Sequence, residues 1–355
     1  MFEENNVNCS GENSPEQNPA PEFINPTEYV PYGFTPETYR EKKDIRRLAR
    51  IIGIPLLCIT AIGILWSFVY WYVALNILRV DYDSALVFAR DSGVQQVLQI
   101  FLSCLMFLVP FTIAAKASGH RIDSLVSLKT KKKGIALPLV MFGIGFCAFA
   151  NIAMSYADAW FSMFGIEYEV DFGENPSGIF GFLLSFIATA IVPALVEEFA
   201  CRGIVIGLLK KYGETFALIT SAVVFGIMHG NFEQIPFAIL VGLILGYIYL
   251  KTQNLWISIA VHAANNAVSV ILSYLESIVD VNAQNLIYLV YLMVAMLLAI
   301  LSILLLSKSK DFTYSLENSK SACSERQKYL WFGTSVFTII FISANLLEAF
   351  SYFIV

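Results

Sequence analysis

Charged residues are scarce in this chain of 355 residues, where Asp, Glu, Lys and Arg together make up only 14%. Soluble domains contain about a quarter charged residues. Apolar residues reach 57%, and the mean hydropathy is +0.65. This balance excludes an ordinary soluble domain and predicts a polytopic membrane protein. The total net charge of −5 is uninformative in a membrane protein, where the distribution of Lys and Arg among the loops matters. Nothing in the sequence favours nucleic-acid binding.

Cysteine is also rare and lacks informative spacing. The chain has six cysteines with no C-x-x-C pair, and four of them lie inside apolar stretches, at Cys58, Cys104, Cys147 and Cys201. We therefore predict neither a disulfide framework nor a cysteine zinc site. The amino-terminal segment lacks the basic start and the apolar core of a cleavable signal peptide. It is acidic and rich in Asn and Pro, so residues 1–40 are predicted to form a disordered tail.

Apolar stretches of about 20 residues, the length needed to cross about 30 Å of hydrocarbon, recur along the rest of the chain. Nine candidate helices cover 51–78, 93–116, 134–160, 179–208, 214–230, 233–251, 254–275, 285–307 and 329–350. The fifth and sixth are the weakest, because the polar stretch HGNFEQIP lies between them and Pro236 interrupts the helical pattern. The expected fold is an all-α polytopic transmembrane helix bundle with about eight or nine spans.

Basic and acidic loops alternate along the chain. Lysines and arginines gather at 40–50, 116–133, 210–211, 251 and 308–328, while the intervening loops are acidic or neutral. The positive-inside rule then predicts a cytoplasmic amino terminus and, after nine crossings, a carboxyl terminus outside. We expect a multi-pass integral protein, in the plasma membrane of a bacterium.

The stretch ALVEEFACRG places charged side chains in the middle of an apolar span. Glu197, Glu198 and Arg202 follow nineteen uncharged residues and precede another apolar run. Ionised groups at such depth are costly and usually functional. Arg202 is spaced to neutralise Glu198 one helical turn away. One carboxylate then has no partner in its own helix, which favours a functional role over a structural one.

Two of the three histidines also lie within apolar spans. Counting 1.5 Å per residue from the basic turns places Glu197, His229, His262 and Asn266 at a similar depth, about 17 to 22 Å; His120 lies in a basic loop. A carboxylate, an imidazole and an amide can together activate a water molecule and stabilise an oxyanion. These residue types predict hydrolysis of a carbonyl compound within the membrane.

Three motifs in these spans resemble those of the CPBP intramembrane proteases, a family that includes type II CAAX prenyl proteases and proteins linked to bacteriocin self-immunity. The family pattern is E-E-x-x-x-R, F-x-x-x-H and H-x-x-x-N. It matches Glu197 to Arg202, Phe225 to His229, and His262 to Asn266. Each motif alone is weak, but the ordered set is specific. The resemblance covers roughly residues 180–270, about a quarter of the chain.

The resemblance implies a role for each matched residue. Glu197 and His229 would activate the catalytic water, His262 and Asn266 would stabilise the oxyanion, and Glu198 with Arg202 would support them. It implies either a glutamate-dependent or a metal-dependent endopeptidase. The zinc-protease motif H-E-x-x-H is absent. The sequence does not settle whether zinc is bound through residues from Glu197, Glu198, His229 and His262.

The resemblance also divides the chain and limits the choice of partner. After the tail, residues 41–178 would supply amino-terminal helices, 179–280 the catalytic core and 281–355 carboxyl-terminal helices. The expected partners are the lipid bilayer and a membrane-bound peptide or protein substrate, prenylated or not.

Two further residues near the motifs carry weaker predictions. Pro193 is expected to kink its helix and free a backbone carbonyl beside the site. Asn265 is expected to make a packing or outer contact.

Other functions fit the same residues. A transporter could use the acids and histidines to relay protons, although such proteins usually contain paired repeats and the motifs occur once. A non-catalytic immunity or scaffold protein could retain the fold. Individually, the acids could be ion-paired or solvated, His229 could cap a helix end, and His262 and Asn266 could simply hydrogen-bond between helices.

Overall fold

The computed structural model describes residues 30–351 apart from 82–83, 86, 88–91, 131, 165–177 and 318–320. Within these residues the chain is helical and contains no strand, which confirms the predicted all-α bundle. The helices are α1 Pro36–Tyr72, α2 Val94–Ala117, α3 Ala136–Ser162, α4 Gly178–Tyr212, α5 Glu214–Ile227, α6 Gln234–Thr252, α7 Leu255–Glu276, α8 Val281–Lys308, α9 Glu325–Gly333 and α10 Val336–Ser351.

The first helix begins earlier than its apolar run. The Thr35 side chain caps α1 in a reciprocal capping box with Thr38, and Pro36 occupies the first turn. Ile45 and Leu48 in the basic segment are buried. The basic residues at 40–50 are therefore part of α1, and the predicted tail of residues 1–40 ends too late; its residues 1–29 lie outside the described part of the chain.

The number of membrane-crossing helices is seven, or eight if α9 and α10 form one span, by length and composition within the described residues. The predicted fifth span is α5, whose 14 residues extend about 21 Å, less than the hydrocarbon thickness. The predicted last span is broken, because α9 and α10 meet at an angle of 71°. The described residues thus contain seven or eight candidate crossings instead of nine. The outside position of the carboxyl terminus stays a prediction.

Helix α4 occupies the centre of the bundle. It contacts α5 and α7, while α6 packs between α5, α7 and α3. Helices α3 and α8 pair on one flank, and α1 contacts α2, α9 and α10 on the other. One buried cluster of apolar side chains joins α1, α2, α4 and α5, and a second joins α3, α6, α7 and α8. This arrangement encloses the polar residues of α4 between α5, α6 and α7.

Glycines allow α5 and α6 to approach closely. A Cβ atom at Gly242 would lie 3.0 Å from the Ala222 Cα, and one at Gly226 would lie 2.8 Å from the Ile235 carbonyl oxygen. Small residues permit such contacts between membrane helices. The close packing brings the backbone of α6 within reach of side chains from α4.

Helix α4 departs from regular α-helical geometry on both sides of the Glu197–Glu198 pair. Segments Phe186–Ile191 and Phe199–Ile206 form wider π-helical turns, and Val192–Glu198 between them is α-helical. Such π turns occur frequently at functional sites. Pro193 stands in the α-helical segment and has no N–H to donate to the carbonyl four residues before it.

The basic segments lie together at one end of the bundle. Lys211 forms an ion pair with Asp44 at 2.9 Å, and Arg47 donates to the Ser118 carbonyl. At the α6–α7 turn, the Leu255 N–H donates to the Ser127 carbonyl at 2.9 Å. We call this end, formed by residues 40–50, 116–130, 210–211 and 251–254, the basic face.

Candidate active site

A fully buried ion pair lies at the base of the site. Arg202 Nη1 donates to Glu198 Oε1 at 2.6 Å across one turn of α4, and both side chains are 0% exposed. Arg202 Nη2 donates to the Gly242 carbonyl at 3.1 Å, and the guanidinium lies 4.4 Å from the centre of the Phe225 ring. Hydrogen bonds and a cation–π contact therefore offset part of the cost of burying both charges, while Glu198 Oε2 and Arg202 Nε have no hydrogen-bond partner among the described residues.

His262 connects this ion pair to the second glutamate. Its Nδ1 lies 3.0 Å from Glu198 Oε1. Glu198 is the anionic partner of Arg202, so the carboxylate accepts and Nδ1 carries the hydrogen. The opposite nitrogen, Nε2, faces Glu197 Oε2 at 3.9 Å. That separation is longer than a direct hydrogen bond and is suited to a bridging oxygen atom.

His229 is oriented by the backbone of its own helix. Its Nδ1 lies 2.7 Å from the Phe225 carbonyl oxygen, which can only accept, so Nδ1 is the donor. A neutral imidazole with hydrogen on Nδ1 has its lone pair on Nε2. The rings of His229 and His262 both pack edge-on to Phe225, at centroid distances of 5.1 and 5.6 Å. Phe225 therefore sets the orientation of two imidazoles as well as one guanidinium.

Two contacts hold the amide of Asn266. Its Nδ2 donates to the Thr189 carbonyl at 3.1 Å, and its Oδ1 accepts from Asn265 Nδ2 at 3.2 Å. Thr189 is the residue four positions before Pro193, so its carbonyl lacks the usual helical donor. An amide nitrogen has two hydrogens, and Asn266 retains one for another acceptor.

Glu197, His229, His262 and Asn266 line one cavity of about 440 Å³. Glu198 and Arg202 lie behind it, fully buried, whereas the Glu197 side chain is 15% exposed. The uncompensated carboxylate is thus the one that solvent can reach. The walls are completed by Thr189, Phe225, Gln234, Phe237, Ala238, Val241, Asn265, Ser269, Val270 and Ser273.

The residues considered for zinc do not form a metal site. Among the residues that the structure describes, no three His, Cys, Asp or Glu side chains are placed to hold one metal ion. Glu198 is engaged by both Arg202 and His262, which removes it from the candidate ligands. The donor set of Glu197, Glu198, His229 and His262 therefore does not fit zinc, and the metalloprotease class gains no support.

Several contacts of the site were not predicted from the sequence. Phe225 contacts Arg202 and both histidines. Asn265 was expected to make at most an outer contact, and it holds the Asn266 amide and lines the cavity. The Gly242 carbonyl was missed altogether. The four-residue spacing places Phe225 on the same helix face as His229 and could have predicted their contact. No sequence feature predicts the hydrogen bond between Arg202 and the Gly242 carbonyl, because only helix packing brings these residues together.

The fold and the site define a class of protein: a multi-pass membrane helix bundle with a polar, partly accessible Glu–His–Asn cavity. Comparison with known proteins narrows this class. Residues 179–268 match the family model of type II CAAX prenyl endopeptidases, Rce1-like. The matches confirm the predicted resemblance to the CPBP membrane proteases, which extends over α4 to α7.

One curated relative is a protein of Bacillus subtilis (strain 168) named "Putative membrane peptidase YdiL". It is 30% identical over 115 residues, which correspond to 31% of this chain and 46% of the relative. The chain thus aligns with about half the length of this relative. No solved structure matches the chain.

Proposed function

We propose that this protein is an intramembrane endopeptidase that hydrolyses a peptide bond of a membrane-associated protein or peptide. The observation that carries the proposal is the pairing of two unlike glutamates. Glu198 is neutralised by Arg202, whereas Glu197 lines the cavity and faces His262 across 3.9 Å. A carboxylate that is in reach of water, has no cation partner among the described residues and shares its cavity with two imidazoles is suited to act as a general base.

Glu197 and His229 activate the water in this proposal. His229 Nε2, free because Nδ1 donates to the Phe225 carbonyl, accepts one hydrogen of the water and orients it. Glu197 takes the other proton as the water oxygen attacks the substrate carbonyl carbon. The same carboxyl group then returns the proton to the leaving amine when the C–N bond breaks. The net reaction consumes one water molecule and consumes no other reactant.

His262 and Asn266 stabilise the oxyanion. Asn266 has one amide hydrogen left after its bond to Thr189. Because His262 Nδ1 already donates to Glu198, donation from Nε2 requires a hydrogen on both ring nitrogens. Donors fixed before the reaction stabilise developing charge more effectively than mobile water does.

The comparisons and the size of the cavity support the proposed substrate class. The matched domain is that of CAAX prenyl endopeptidases and the named relative is a membrane peptidase, which supports a peptide bond in a membrane-bound chain as the target. The cavity volume is within the range of sites for small ligands and short peptide segments. The proposed chemistry uses no metal, in line with the donor arrangement, and it does not require a prenyl group.

Replacing His229 with Ala should lower the rate of peptide cleavage by about 10²-fold or more, because the water loses its orienting base. The assay uses the purified chain in liposomes with a lipid-tethered quenched peptide library, in ¹⁸O-enriched water. Mass spectrometry should find one ¹⁸O atom in the new carboxyl group of each product. His120→Ala is the matched control, because His120 lies in the loop of the basic face and should retain wild-type activity.

Equal activity in the His229→Ala and His120→Ala variants would contradict the role of His229. Absence of ¹⁸O-labelled products from the wild-type chain across the library would contradict the peptidase itself and favour the transporter interpretation. A proton or ion flux assay on the same liposomes would then test transport directly.

Replacing Asn266 with Ala should lower kcat by about 10²- to 10³-fold with little change in KM, as for loss of one oxyanion donor. The reason is that its free amide hydrogen is used only when charge develops on the substrate oxygen. Steady-state kinetics on one library substrate measures the two constants separately. Asn282→Ala, at the exposed start of α8, serves as the control. A raised KM with unchanged kcat would instead assign Asn266 to substrate binding.

A further inference from the structure

The cavity has an asymmetric lining along the membrane normal. Beyond His262 on α7, Ser269 and Ser273 face the cavity and both are exposed. Ser273 is eleven residues past His262, about 16 Å further along the helix. Gln234, in the first turn of α6, lines the same cavity. Because α6 and α7 are joined by the turn at 252–255 and run antiparallel, all three polar residues lie at the end away from that turn.

The opposite side of the site is closed by packed side chains. On α7, Ser258 and Val261 are 0% exposed, and on α6 so are Leu245, Ile248 and Tyr249. These residues lie between His262 and the α6–α7 turn of the basic face. The Ser258 hydroxyl donates to the Leu245 carbonyl at 3.2 Å, which links the two helices there. Among the described residues of these two helices, the cavity lining reaches no further toward the basic face than Val241 on α6 and His262 on α7.

The ion pair strengthens this closure. Arg202 and Glu198 are fully buried, and α4 continues toward the basic face with Ile204, Val205 and Ile206, all 0% exposed. A hydrated peptide approaching from that side would have to separate α4, α6 and α7 and expose both charges. An approach between the start of α6 and the end of α7 meets hydroxyl and amide groups that can hydrogen-bond an extended backbone.

We infer that the substrate enters the catalytic cavity from the face opposite the basic face, through the opening lined by Gln234, Ser269 and Ser273. This inference rests on the proposed peptidase function. The positive-inside rule assigns the basic face to the cytoplasm. The substrates are then membrane-anchored chains whose scissile bond lies on the extracytoplasmic side, in an extended segment next to the anchor.

The test measures access by water and access by substrate separately. An amino-terminal affinity tag, on the side where α1 begins, sorts sealed liposomes into tag-outward and tag-inward populations. Ser273→Cys and Lys132→Cys variants are treated with a membrane-impermeant maleimide, and labelling is counted above that of the unsubstituted chain. We expect Ser273→Cys to be labelled only in tag-inward liposomes, and Lys132→Cys, exposed at the basic end, only in tag-outward ones.

The second measurement adds the lipid-tethered peptide to the outer leaflet of each population of wild-type liposomes. Cleavage should occur in tag-inward liposomes and be at least 10-fold slower in tag-outward ones. Labelling of Ser273→Cys in tag-outward liposomes, or in neither population, would overturn the inference. Faster cleavage in tag-outward liposomes would overturn it while preserving the peptidase. No cleavage by either population, with maleimide labelling as expected, would instead reject the peptidase.

Discussion

Replacing Glu197 with Gln is expected to lower kcat/KM for peptide cleavage by about 10²- to 10⁴-fold, the usual contribution of a general base. The amide preserves the size of the side chain and removes its capacity to take a proton. Glu197 lines the cavity, and Arg202 pairs with Glu198 instead. The loss should therefore fall on chemistry and leave stability nearly unchanged. The measurement is the initial rate in the liposome assay, with thermal unfolding recorded in parallel.

The matched control for Glu197 is Glu276→Gln, at the exposed end of α7, which should retain wild-type kcat/KM. If Glu197→Gln keeps its activity while the protein is folded, another group accepts the proton, and the assignment of base and supporting glutamate must be revised. A drop in stability equal to the drop in activity would place Glu197 among structural residues.

Replacing Arg202 with Met is expected to destabilise the protein by about 3–5 kcal/mol, the typical cost of removing one partner from a buried ion pair. Glu198 would lose its cation partner in a site that is 0% exposed. The contacts of the guanidinium with the Gly242 carbonyl and the Phe225 ring would also be lost. Denaturant unfolding in mixed micelles measures the change in the free energy of unfolding.

Two further variants separate charge from packing at this position. The double variant Glu198→Gln with Arg202→Met removes both charges and should recover most of the lost stability, because no uncompensated ion remains buried. Arg121→Met breaks an ion pair with Asp123 whose side chains are 86% and 67% exposed, and should leave the free energy of unfolding nearly unchanged. Similar losses for Arg202→Met and Arg121→Met would show that the buried pair is not a stabilising contact.

The predictable part of the fold came from patterns within single segments. Apolar runs placed most membrane helices to within a few residues, because the bilayer demands a fixed length of apolar helix. The set of nine candidate membrane helices was too large for two physical reasons. Helix α5 is too short to cross and is instead enclosed by other helices, and the last run is bent by 71° between α9 and α10.

The candidate site shows the same division. The Glu198–Arg202 pair follows from i,i+4 spacing on one helix, and the freed Thr189 carbonyl follows from Pro193. The partner of that carbonyl, Asn266, comes from a helix 77 residues away in sequence. Likewise the Gly242 carbonyl reaches Arg202 because glycines bring α5 and α6 together.

By itself the sequence determined the class of fold, the ionisable residues within the membrane and their order along the chain, because apolar length and helical spacing are local properties. Only the tertiary structure decided which glutamate is bound to His262, which nitrogen of each histidine is engaged, and which end of the cavity is packed shut. Those features depend on contacts between α4, α5, α6 and α7, whose relative positions are set by packing across the whole bundle.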